Sequence, residues 1–270
     1  MSDSYVLIFI NAIVVALLAV YVYQNERRMD ELSAKHDRTG ITPTEKTTTE
    51  EDNRPLDCGD IDIKRGSGVY KIYPEGSGQT GFNVYCDMDS ENVDGGWTVF
   101  QRRLNGEEYF FRGWRDYKEG FGTLQGEHWL GNAKLHILTS QTKYELLIRM
   151  KTFENENGYA RYSDFKLNDE ASKFKMTLSA SSFTGNVGDS FSYHSGKKFS
   201  TKDQDNDSFD GNCALNHKSG WWYGSCHASN LNGLYHAGNH TSYADGVNWK
   251  SWKGYHYSLK ETTMMIRPLQ

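Results

Sequence analysis

The sequence predicts an α+β domain in which short strands and one helix are followed by a long irregular part. Three observations predict it. Runs rich in β-branched and aromatic residues recur from residue 68 to residue 178, and such runs suit the pleated, half-buried surface of a sheet. Residues 129–138 carry Leu130, Lys134, Leu135 and Leu138 at helical spacing. From about residue 179 to 260 the periodicity is lost, while Gly, Asn, Ser and aromatic residues dominate. A segment of that size without regular elements is usually functional or disordered, and its large rings argue against disorder.

Taken in order, residues 1–4 are a short polar tail, and residues 5–23 are apolar except for Asn11. Nineteen such residues match the thickness of a bilayer. Val20-Tyr21-Val22-Tyr23 suits a membrane interface better than a peptidase site. The segment therefore reads as a transmembrane signal-anchor, with a cleaved signal peptide as the alternative. Arg27 and Arg28 follow it and Asp3 precedes it, which by charge alone would leave the C-terminal part in the cytosol. The cysteines and glycosylation sequons argue for the other side, giving a single-pass type II protein of the plasma membrane with its C-terminal domain outside, or a secreted one after cleavage. Residues 24–56 are polar and rich in Thr and Glu, with too little apolar surface to fold, and read as a disordered stalk. Strands are then expected over residues 68–73, 82–86, 97–102, 143–150, 160–167 and 173–178.

Composition bounds the function. The chain has 270 residues, 37% hydrophobic and 14% aromatic, with 26 Gly and a net charge of −5. That charge disfavours nucleic acid as a partner. Cys58, Cys86, Cys213 and Cys226 allow three pairings, of which the local one is the simplest. Closing the shorter local loop would contribute about 3 kcal/mol by loop entropy, and the longer one slightly more.

The most telling stretch is 203–227. Asp203, Asp205, Asp207 and Asp210 alternate with Asn, Ser and Gly, a pattern that suits a hard cation seeking oxygen ligands. No Glu closes a twelve-residue loop, so it is not an EF-hand. Trp221-Trp222-Tyr223-Gly224-Ser225-Cys226-His227 adds crowded rings between cysteines. The histidines at 128, 136, 194, 236, 240 and 256 show no metal-ligand spacing and read as surface or structural residues. Nothing resembles a nucleophile with its base, so no enzyme is expected.

At this point the motifs carry a resemblance. Cys58-Gly59-Asp60, Gly95-Gly96-Trp97-Thr98-Val99-Phe100-Gln101-Arg102-Arg103, Gly126-Glu127-His128-Trp129-Leu130-Gly131-Asn132, Asn212-Cys213-Ala214, Gly220-Trp221-Trp222-Tyr223, Asn230-Leu231-Asn232-Gly233-Leu234-Tyr235 and Trp249-Lys250-Ser251-Trp252 occur in order. Residues 57–270 resemble a fibrinogen C-terminal domain, and among its members most resemble the ficolins, the tachylectins and a membrane-anchored acetyl-group receptor. The resemblance implies a globe with a twisted mixed sheet, a loop-rich calcium-binding subdomain and disulfides Cys58–Cys86 and Cys213–Cys226. It also implies one Ca2+ held by the side chains of Asp205 and Asp207 and the carbonyls of Phe209 and Gly211.

Beside that loop, the acetyl-binding members have a pocket for an acetyl methyl group. Its oxygen accepts from a backbone N–H at a cis peptide before the second loop cysteine. Carried over, the pocket is His217, Ser225, Cys226, His227, Tyr243 and Ala244, with Ser225–Cys226 cis. His217 departs from the usual Tyr, and His217 and Ala244 stand where clotting-type domains hold a cationic peptide with acidic residues. Of the two sequons, at Asn206 and Asn239, the first falls in the metal loop, so Asn239 is the better acceptor.

The expectation is a calcium-stabilised lectin-like recognition protein for acetylated glycans such as N-acetyl sugars and chitin, working as a homo-oligomer of three or four copies. The alternative is an extracellular adhesion or growth-factor-like domain that binds protein. Protonation of His217 and His227 is expected to weaken binding through about pH 5–6.

Overall fold

The computed structural model describes residues 23, 24, 27, 54–75, 77, 80–89 and 95–269. The chain divides into two units, Met1–Asp52 and Asn53–Gln270. In the first only Tyr23, Gln24 and Arg27 are described, in helical conformation. The membrane span expected at 5–23 and the stalk at 24–56 otherwise lie outside the described residues, apart from 54–56. Among the described residues, no helix is long and apolar enough to cross a membrane.

The second unit is built on strands β1 (Gly68–Ile72), β2 (Phe82–Asp87), β3 (Trp97–Arg103), β4 (Phe121–Gly122), β5 (His128–Trp129), β6 (Tyr144–Lys151), β7 (Asn157–Leu167) and β8 (Met176–Gly185). Four two-residue strands follow: β9 (Ser229–Asn230), β10 (Gly238–Asn239), β11 (Asn248–Trp249) and β12 (Tyr257–Ser258). The last strand, β13 (Glu261–Pro268), inserts between β3 and β6, giving the order β1-β2-β3-β13-β6-β7-β8, with β5 joining β3 to β4. Its position makes the chain's end part of the middle of the sheet: Ile266 pairs with both Thr98 and Leu146. The ladders of this sheet are all antiparallel, and a parallel pairing occurs in the isolated Leu234–Gly246 bridge.

The central strands are buried on both faces, whereas β7 alternates buried and exposed residues. Phe100, Leu146, Ile148, Met264 and Ile266 face the main core. Trp97, Val99, Leu147 and Met265 form a smaller cluster, over which Arg267 lies 4.5 Å from the Trp97 ring. The main core takes in helices α1 (Trp114–Glu119) and α2 (Asn132–Gln141) through Tyr117, Leu135 and Leu138. Helix α2 starts three residues later than its apolar spacing suggests. Trp129 pairs with Gln101 as strand, and Gly131 sits at φ 111, where a Cβ would meet the Glu119 carbonyl oxygen at 2.7 Å. Strand β8 likewise starts after the expected residue 173, because Lys173 and Phe174 both have positive φ.

A buried polar frame ties the sheet to the irregular part. Arg103 Nη1 donates to the carbonyls of Leu231 at 3.1 Å and Gly233 at 2.8 Å. Its Nε lies 3.6 Å from Glu127, with each side chain 2% exposed. Gln101 donates to the Leu231 carbonyl at 3.0 Å. His194, fully buried, faces the Trp222 carbonyl with Nδ1 at 2.7 Å and accepts from the Ser229 N–H with Nε2. Where periodicity fails, side-chain bonds to backbone take over the role of ladders.

Candidate functional site

The acidic loop is organised by its own carboxylates. Asp205 accepts from the Asp207 N–H at 3.1 Å. Asp207 accepts from the N–H groups of Phe209 and Cys213, both at 2.9 Å. Burial raises the Asp207 pKa above the usual carboxylate value, and neighbouring Asp205 adds to the effect. Two carboxylates so close lower each other's affinity for negative charge, which a divalent cation would reverse. The donor set therefore fits a hard cation. Gly211 lies half-buried in the turn that leads into helix α3 (Cys213–Asn216).

Cys213 links this loop to a pocket. Its N–H is held by Asp207, and its sulfur is bonded to Cys226, with Cα atoms 5.5 Å apart. The second disulfide, Cys58–Cys86, joins the first turn of the domain to β2. The Ser225–Cys226 peptide is cis.

Next to it is a pocket of about 310 Å³, to which His217, Ser225, Cys226, His227, Tyr243 and Ala244 all contribute. All six residues carried over by resemblance thus come together in space. Tyr255, Asn216 and the ring of Phe209 also line it; sequence reasoning missed these roles. Tyr255 lies 28 residues beyond the stretch 203–227, in an aromatic run that reads equally well as core.

Ala244 is the hub of the pocket. It is 2% exposed and adopts φ 60, and its N–H donates to the Tyr255 carbonyl at 3.1 Å. Its carbonyl lies 2.9 Å from His217 Nδ1 and 2.8 Å from His227 Nε2. A carbonyl only accepts, so both imidazoles donate to it, which sets both tautomers. The two rings meet edge to face at 4.5 Å. Tyr243 is 63% exposed and packs at 5.3 Å on Tyr255. None of the nine lining side chains is acidic. Among the described residues, the Cys226 N–H makes no hydrogen bond within the chain.

Burial holds His217 below the ordinary imidazole value. Burial, with His217 alongside, pushes His227 down to about 3. His227 therefore stays neutral in the folded pocket through pH 5–6, and protonation of His217 is also disfavoured. For His227 this runs against the expectation that its protonation weakens binding in that range.

The sequons differ in kind. Asn206 Nδ2, the atom a glycan would occupy, donates to the Phe199 carbonyl at 2.7 Å, whereas Asn239 is exposed. A glycan on Asn239 and none on Asn206 is the expected result of peptide mapping after glycosidase release with isotope-labelled water.

The domain is a globe with a loop-built pocket pinned by a disulfide and flanked by an acidic loop. The chain belongs to the fibrinogen family of such globes: residues 54–269 match the C-terminal globular domain of fibrinogen beta and gamma chains. It is similar to human Microfibril-associated glycoprotein 4, 50% identical over 220 residues, which are 79% of this chain and 85% of that protein. It is similar also to Fibrinogen C domain-containing protein 1 of Xenopus tropicalis, 49% identical over 223 residues, 80% of this chain. The match spans 48%, about half, of that relative's length. Among solved structures, the fibrinogen-like globe domain of human ANGPTL2 superposes with a TM-score of 0.75 at 43% identity, covering 79% of this chain and 99% of that one.

Proposed function

We propose that this domain is a calcium-stabilised, lectin-like binding module for acetylated glycans, not an enzyme. The observation that carries the reading is the unpaired Cys226 N–H at a pocket walled by rings and free of carboxylates. Cys226 is half-buried, and a donor left without a protein partner beside the pocket is open to an acetyl oxygen. The acetyl methyl then meets Tyr243, Tyr255 and the neutral imidazoles, while a cationic ligand would find no counter-charge. Asp205 and Asp207, with the carbonyls of Phe209 and Gly211, would hold Ca2+. The ion would supply the positive charge that lets both carboxylates ionise and keep their bonds to the loop backbone. A single small pocket binds weakly, so three or four linked copies, anchored through the N-terminal segment, would supply avidity.

The test is a glycan array with the purified protein in calcium and in chelator. N-acetylated sugars are expected to bind and free acetate to compete. Tyr243→Ala and Ala244→Asp should lose binding while the near-ultraviolet spectrum stays native. Binding indifferent to acetate and to both changes would sink the reading. In its favour, the second reading, a protein ligand, has the exposed rings of Phe209 and Tyr243 at the pocket rim.

Chelation is expected to lower both the melting temperature and the affinity, and Asp205→Ala in calcium should behave as the chelated wild type does. Unchanged melting and binding in a calcium-selective chelator would refute the ion assignment.

A further inference from the structure

The segment 236–245 carries two histidines four residues apart and a carboxylate five residues further on. In an extended chain they would not meet. Here Ala237 at φ 56 and Gly238 at φ 100 turn the backbone, and β10 then pairs with β12. The turn stacks the rings of His236 and His240 at 4.3 Å. Asp245 returns to the same place, so His236 Nε2, His240 Nδ1 and an Asp245 oxygen lie within 4.8 Å of one another.

The distances are those of a coordination shell. His236 Nε2 is 3.0 Å and His240 Nδ1 3.7 Å from Asp245 Oδ1. Ser242 Oγ stands 2.7 Å from Asp245 Oδ1, 3.0 Å from His240 Nδ1 and 3.4 Å from His236 Nε2. Four ligands about 2.0–2.1 Å from a tetrahedral zinc ion would be separated by about 3.3–3.4 Å. The five separations above lie on either side of that value. The side chains are 26%, 6% and 14% exposed for His236, His240 and Asp245, open enough for entry and dry enough to hold a cation.

We propose that His236, His240 and Asp245 form a zinc site, with the Ser242 hydroxyl or a water as fourth ligand. Two imidazoles and one carboxylate suit a borderline divalent ion of the zinc class, and the nitrogen ligands set the site apart from the all-oxygen acidic loop. Asp245 follows Ala244, whose carbonyl holds both pocket imidazoles, so the ion would clamp the loop that carries the pocket wall. The site itself stands whatever the pocket binds.

The test uses the full chain, stripped of metal and returned to excess calcium, then titrated with Co2+ as a spectroscopic stand-in. One equivalent is expected to give the intense visible absorption of four-coordinate Co2+, and one equivalent of Zn2+ to abolish it. Zn2+ should also raise the melting temperature in calcium. His236→Ala and Asp245→Asn should each weaken the metal by more than the ~10–100-fold that a lost outer partner costs. His256→Ala, whose ring lies 6.2 Å from His240, should change neither signal. If Asp245→Asn does not fold, the more exposed His236→Ala carries the test. The absence of the band, a weak six-coordinate spectrum, or a band unchanged in His236→Ala would overturn the proposal.

Discussion

Glu127→Ala is expected to destabilise the domain by about 3–5 kcal/mol, the cost of leaving a buried charge without its partner. Burial alone would raise the Glu127 pKa, but the N–H groups of Glu108, Leu104 and Gly106 and the Arg103 guanidinium together hold it below the usual carboxylate range. Without it, the N–H groups of Leu104, Asn105, Gly106 and Glu108 lose their acceptor. Arg103, 1% exposed, keeps its charge with no carboxylate, met by the carbonyls of Leu231 and Gly233 and the face of the Phe110 ring. Those carbonyls belong to the chain that leads into 234–245, so the damage should extend to the pocket. Urea unfolding checks it: the midpoint falls steeply in Glu127→Ala and recovers in part in the double change Arg103→Met with Glu127→Leu. An unchanged midpoint in the single variant would show that the pair contributes nothing.

Acid should unfold the domain earlier than its carboxylates alone require. His128 and His194 are pushed down to about 4 and His227 to about 3, in each case first by burial. The unfolded chain takes up these protons below about pH 6.5, while the folded domain refuses them until about pH 4. The folded state therefore binds fewer protons across that window, and stability falls as pH falls from about 6.5 towards 4. Each histidine contributes about 1.4 kcal/mol per pH unit once the unfolded form is fully protonated, so three give roughly 4 kcal/mol per unit. Asp57 and Asp207, raised by burial, oppose the trend near its lower end. Denaturant midpoints at closely spaced pH values measure the slope. His194→Gln, which cannot titrate, should remove about one histidine's share of it, whatever its own stability. Ligand binding should fall together with the native near-ultraviolet signal and not before it. An affinity that drops while that signal holds would mean that a pocket imidazole charges in the folded state.

Much of this was legible beforehand because its causes are local. Strands β1, β2, β3, β6 and β7 lie close to their expected ranges, since alternation and β-branched or aromatic residues act over a few positions. The six pocket residues were found through a resemblance, not through spacing. What escaped was whatever depends on partners far away in the chain. Strand β13 shows nothing in Glu261–Pro268 that says it will sit between β3 and β6. Nothing local in the sequence says that Glu127 and Arg103 will be buried together.

The histidines make the same division plain. Sequence alone determined the ingredients: short strands, an irregular, ring-rich end, four cysteines and an acidic loop. Those features follow from residue type and short spacing, which the chain carries wherever it goes. Tertiary structure alone decided which imidazoles are buried and neutral at the Ala244 carbonyl and which converge with Asp245. Burial and convergence are set by the close packing of segments distant in sequence, and no count along the chain contains them.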